Sequence, residues 1–189
     1  MIDMFGWLRK KAEQAERGDD CVWMSDAARV EGMRREVERV KAAGSNAVVV
    51  APTMAAFEKM SGTLAPHQPL LCQDRFERGR LQRALQESRA VVVAMPAALP
   101  TETQADSNAR CDFLVYGRDN ARSADDAIVR AADLLGTGVR ITFHLSLDDA
   151  LLQQHGKSLK PVLEKLGMSA DESVNSPFLS RAIASAQTK

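Results

Sequence analysis

The chain has 189 residues, enough for one domain that buries roughly 70% of its unfolded surface without a disulfide or metal staple. Basic and acidic residues balance at 25 each, so no whole-molecule field favours nucleic acid or an anionic membrane. Cys21, Cys72 and Cys111 are scattered, as are His67, His144 and His155, which predicts reduced thiols and no metal site.

Residues 1–18 form a first unit. An amphipathic helix is predicted over about 1–17, ending near Gly18. Phe5, Trp7 and Leu8 make an apolar tip, and Arg9, Lys10 and Lys11 make a basic collar. Such a tip suits a partner protein or a membrane surface. It is not a signal peptide, because the apolar residues precede the basic ones and include Asp3. No apolar run approaches the ~18 residues of a spanning helix. A cytoplasmic location is therefore expected.

Residues 19–189 form the second unit. After the short apolar run Cys21–Met24, Ser25 or Asp26 caps a helix whose stripe is Val30, Met33, Val37 and Val40, and Gly44 ends it. Residues 46–51 and 90–94 are continuous apolar runs rich in valine, as expected of strands covered on both faces. Residues 70–72, 112–116 and 139–145 are the other predicted strands. Helices are predicted from Pro52-Thr53 onward, over 76–88 and over 121–135. Three short ones follow at about 147–154, 158–166 and 177–187. Residues 96–110 read as a loop. Alternation of strands and helices implies a three-layer α/β/α sandwich with a mostly parallel sheet. Ligands on such sheets bind beyond the strand C-termini, here the loops after Ala51, Ala94 and Gly117.

Several short patterns have structural explanations. His155-Gly-Lys-Ser158 lacks the upstream glycine of a phosphate loop, since Leu151 stands there, and it follows a helix rather than a strand. The glycines of Leu134–Gly138 fit a helix stop. Asp125-Asp126 and Asp148-Asp149 lie at or near helix starts, where negative charge suits the dipole.

Longer motifs carry a resemblance. Ile141-Thr-Phe-His-Leu-Ser-Leu-Asp-Asp-Ala-Leu-Leu152 resembles the Phe-x-Leu-Ser-Leu-Glu-Asp segment of the SecA preprotein translocase family. Leu163–Met168 resembles that family's Leu-Gly-Met turn. Ser176–Gln187 is similar to its His-Pro-x-Val-x-x-Ala-Ile-x-x-Ala-Gln stretch. Upstream, residues 47–64, 67–85 and 90–95 keep the family's order of strands and helices. The resemblance covers about residues 20–187 and implies the second, helicase C-terminal-like motor domain, a RecA-like fold of the P-loop NTPase type.

The departures bear on activity. Where SecA reads Asn-Met-Ala-Gly-Arg-Gly-Thr-Asp, this chain reads Pro96-Ala-Ala-Leu-Pro-Thr-Glu102, with Pro100 for the arginine and Thr103 for the aspartate. In a gapless comparison, the two phosphate-facing arginines of the last motor motif fall on Ala131 and Leu134. An arginine finger contributes about 10³–10⁵ in rate. The resemblance thus implies a degenerate, stand-alone copy of the motor domain: a non-catalytic interaction module with no catalytic residues and no cofactor. Its partner is a second copy, SecA or other translocation machinery, or another protein. The expected contact residues are Phe5, Trp7, Leu8, Arg118, Arg122 and Arg130. Two alternatives are a small Rossmann-like enzyme using Glu102, Asp106 or Arg110 in the 96–110 loop, and a membrane-surface adaptor anchored by residues 1–11.

Overall fold

A strand apolar on both sides can lie only between two layers of helices. In the computed structural model, which describes residues 15–102, 110–135, 138–152, 160–161, 163, 165, 169–175 and 177–187, the valine runs do so. β3 (Asn46–Val50) pairs in parallel with β5 (Val91–Ala94), Val48 beside Val92 and Val49 beside Val93. β4 (Leu70–Cys72) flanks β5. β6 (Cys111–Tyr116) flanks β3, and β7 (Val139–Ser146) follows β6, all in parallel.

The far edge is built from strands too short to read in the sequence. β1 (Glu16–Arg17) and β2 (Cys21–Trp23) run parallel to successive parts of β7. β8 (Ser173–Asn175) returns antiparallel to β2. The order is β4-β5-β3-β6-β7-β2-β8, with β1 beside β7.

One face is covered by α1 (Asp26–Ala42) and α2 (Met54–Thr63). Met33, Val37, Val40, Phe57 and Met60 meet Val49, Val93 and Leu114 there. The Ser25 and Thr53 hydroxyls cap these helices, accepting from the Ala28 and Ala56 N–H groups at 3.1 and 3.2 Å. The other face is covered by α3 (Arg78–Gln86), α4 (Arg122–Asp133) and α5 (Pro177–Ala186). Leu81, Leu85, Ile128, Ala132 and Ile183 pack there with Val48, Val92, Phe113, Ile141 and Phe143. This is the three-layer α/β sandwich that the alternation predicts.

Four expectations are corrected. Residues 16–17 are strand, because their backbone pairs with β7; residues 1–14 of the predicted 1–17 helix, Phe5, Trp7 and Leu8 included, lie outside the described residues. Residues 147–152 form turns rather than a helix, since Asp149 is held back toward Ser146. Pro96–Ala98 is a 3₁₀ turn at the start of the predicted loop. Ser173–Asn175 is strand where none is predicted. Within the predicted 158–166 helix, residues 160, 161, 163 and 165 are helical. No described helix is long and apolar enough to cross a membrane.

Two substitutions test the packing. Val49 and Val92 are each 0% exposed, so Val49→Asp or Val92→Asp buries an unpaired charge and abolishes cooperative thermal unfolding by circular dichroism. Gly32 lies mid-helix in α1, where alanine is ordinarily better by about 1 kcal/mol. A Cβ there would come within 2.0 Å of the Trp23 ring, so Gly32→Ala lowers the melting temperature instead of raising it.

Candidate functional site

The end of the sheet where ligands are expected holds two adjoining clefts of about 300 and 240 Å³. The turns after β3, β6 and β7 and the start of α1 form their walls. Gly117 (φ 81°) turns the chain after β6, and a Cβ there would sit 3.3 Å from an Arg29 nitrogen.

Arg29 is the hub. It is 4% exposed, although it lies on the helical stripe one turn before Met33, where the pattern calls for an apolar side chain. Its guanidinium donates to Asp26 Oδ1 at 2.5 Å and to Asp149 Oδ2 at 2.7 Å, and lies 3.8 Å from the Tyr116 ring centroid. Asp149 also accepts the Ser146 N–H at 2.9 Å. Lys59 and the Tyr116 hydroxyl both donate to Asp26. Burial disfavours charge on Asp26, but hydrogen bonds from Lys59, Tyr116 and Arg29 outweigh it and hold the carboxyl at about 2. Asp148 accepts the Asp26 N–H at 3.0 Å and pairs with Lys160 at 2.6 Å. The aspartate pair read as a helix start is instead the anchor of this hub.

A second network lies on the α4 side. The Arg118 side chain is 2% exposed and pairs with Asp20 at 2.7 Å and Asp125 at 3.2 Å, with its guanidinium 4.2 Å from the Phe143 ring centroid. Gln187 Nε2 donates to Asp125 Oδ2 at 2.7 Å and to the Asp119 carbonyl at 2.6 Å. Asp125, itself held by Gln187, thus holds Arg118 inward, and both positions were singled out in the sequence.

On the α1 face, β7 carries polar side chains at Arg140, Thr142 and His144. His144 is 2% exposed. Trp23 stacks on it (centroids 6.2 Å, planes 16° apart) and donates Nε1–H to Nδ1 at 3.4 Å. Burial pushes the imidazole down to about 4.

The sequence-predicted contact residues are dispersed. Arg122 and Arg130 are exposed on α4, and Arg118 has an internal role. Glu102 and Arg110 are exposed and line neither cleft, while Asp106 lies outside the described residues. Cys72 and Cys111 are buried free thiols and Cys21 is partly exposed. Asp26 was visible as a cap candidate, but Arg29, Lys59 and Tyr116 were missed. Arg29 had a signal in its place on the stripe; Lys59 and Tyr116 had none.

His144 and Asp26 act in different pH windows. An imidazole depressed in the fold takes its proton first in the unfolded chain, so stability falls as pH drops from about 6.5 to about 4. A depressed carboxyl stabilises above its ordinary range, and that contribution is lost as pH falls from about 4 to about 2. In urea titrations across pH, His144→Gln removes the first slope and Asp26→Asn reduces the second, to which Asp148, Glu31 and Glu36, also held below their ordinary values by basic partners, contribute the rest. Asp26→Asn also lowers stability at neutral pH by on the order of 2 kcal/mol.

No family model matches the chain. Among curated proteins, the SecA translocase subunit of Desulfotalea psychrophila is 24% identical over 180 residues, 90% of this chain and 21% of that protein. The SecA of Clostridium beijerinckii gives the same identity and coverage. That of Treponema denticola is 37% identical over 73 residues, 38% of this chain and 8% of that protein. Among solved structures, the C-terminal part of the Fun30 ATPase domain aligns at TM-score 0.49 and 10% identity, over 84% of this chain and 52% of that one. T4 UvsW aligns at 0.46 and 11%, over 77% and 33%. The chain spans about a fifth of the length of the SecA proteins it matches. The chain is thus an α/β domain with a mostly parallel sheet, similar in sequence to one part of SecA.

Proposed function

We propose that this chain is a non-catalytic protein-interaction module of SecA type that serves protein export. The observation that carries the proposal is the chemistry of the clefts. Arg29, Lys59 and Arg118, the basic side chains lining them, are each ion-paired within the chain. Asp26, Asp119, Asp148 and Asp149 line the same space. A triphosphate needs surplus positive charge, and in these clefts four aspartates face three basic side chains that are already ion-paired.

The positions of the missing motor arginines support the same reading. Ala131 is 4% exposed within the core and Pro100 is buried, while Leu134 is half-buried. An arginine at Ala131 or Pro100 would have to displace packed neighbours before it reached a nucleotide. The partner surface proposed is residues 1–11 together with Arg122 and Arg130. Arg118 is withdrawn from it because its side chain is buried.

Two experiments test this. ATP hydrolysis stays at background and nucleotide binding is millimolar at best; a calorimetric titration giving micromolar affinity for ATP overturns the reading. Removing residues 1–11 leaves the circular dichroism spectrum and melting temperature unchanged but reduces association with a second copy or with SecA in light scattering. Association that survives the truncation rules out that segment as the contact. Flotation with liposomes that depends on residues 1–11 replaces the protein partner with a membrane.

A further inference from the structure

A third cleft, of about 280 Å³, opens between α1 and the β7–β2–β8 edge of the sheet, away from the clefts around Arg29. It exists because the apolar packing between α1 and the sheet stops short of β7 and β2. There β7 presents Arg140, Thr142 and His144, and α1 presents Gly32 and Glu36. Gly32 lets the Trp23 ring lie close to the helix, and Trp23 in turn covers His144.

The floor of this pocket has an unmet hydrogen-bonding demand. Trp23 is a donor only, so the His144 Nδ1 that it reaches must be the acceptor nitrogen. The neutral ring then carries its proton on Nε2, which is buried and has no partner. A buried donor left unpaired is costly, and such groups mark sites where a further acceptor belongs. The rim carries charges of both signs, with Arg140 against Glu36 and Asp19. Glu36 holds Arg39 at 2.7 Å and keeps accepting capacity on its carboxylate. Among the described residues no three His, Cys, Asp or Glu side chains are grouped to hold a metal ion, so Cys21 beside His144 does not make this a metal centre.

We propose that this pocket binds a small zwitterion of free α-amino acid size. Its carboxylate accepts from His144 Nε2–H and pairs with Arg140, and its ammonium group lies among Glu36 and Asp19. Both ends of the ligand then meet complementary charge, and the buried donor is satisfied. The volume lies at the small end of ligand pockets. Because the chain has two tryptophans, Trp7→Phe leaves Trp23 as the reporter stacked on the ligand-binding imidazole.

The test titrates the full Trp7→Phe chain with the common amino acids, each followed by Trp23 emission and calorimetry. Acetate and ethylamine, the two halves of the ligand, serve as controls. At least one amino acid gives a saturable change in Trp23 emission, and each half alone binds about tenfold more weakly or worse. Glu36→Gln and Arg140→Gln, both at the partly exposed rim, each weaken binding about tenfold without lowering the melting temperature. His144→Gln abolishes the emission change. The proposal is overturned if no amino acid gives a saturable signal at millimolar concentration, if acetate or ethylamine binds as well as the whole ligand, or if the rim substitutions leave affinity unchanged.

Discussion

A guanidinium that is 4% exposed can persist only where paired negative charge compensates for its lost hydration, and that constraint organises one end of this molecule. Arg29 meets it by drawing Asp26 from the first turn of α1, Asp149 from the turn after β7 and the ring of Tyr116 from β6 into one cluster. Exchanging such a cluster for apolar residues of the same volume is often neutral, whereas breaking it by removing one partner is destabilising. Its contribution is therefore to arrangement more than to net stability. The charge is satisfied only when α1, β6 and β7 meet in this register.

The same cluster shapes what the clefts can bind. Ligand sites on parallel sheets use the strand C-termini because the backbone and helix ends there offer donors. Here the cations have been recruited into structure, by aspartates that are local to them or brought in by the turn after β7. Arg118 repeats the pattern on the opposite face, with Asp20 and Asp125 as its anions. The edge pocket differs in kind, since its unpartnered buried donor, His144 Nε2, belongs to a side chain with no ion pair of its own among the described residues.

Where periodicity spans several turns or strand residues, the sequence was legible. The valine runs of β3 and β5, the stripe of α1, its cap at Ser25, one of the two candidates, and the helix opening at Thr53 appear where physical reasoning puts them. Reasoning failed where an element is defined by its partner. β1, β2 and β8 have two or three residues each, and β1 and β8 lack even the short apolar run that marks β4; they are strands because β7 and β2 hold them. Arg118 was read as surface because arginine usually is, and nothing local in its neighbours reveals that Asp20 lies beside it in space. The alternation of Arg140, Thr142 and His144 with Val139, Ile141, Phe143 and Leu145 was visible, and it marks the face on which the edge pocket lies.

The pairing of β2 bears on how the chain can be assembled. β2 comes early in the sequence, yet both of its sheet neighbours, β7 and β8, come from residues beyond 138. On a ribosome the segments between them can pair among themselves, as β3 with β5 and β6 with β3, while β2 waits with its edges open. Contacts of such long sequence separation form late and slowly, because the intervening loop must close before the pairing is rewarded. During that interval the Trp23 side chain and the uncovered flank of β7 are exposed together. This makes the β7–β2–β8 edge the part of the domain most open to a chaperone or to mispairing with a second nascent chain.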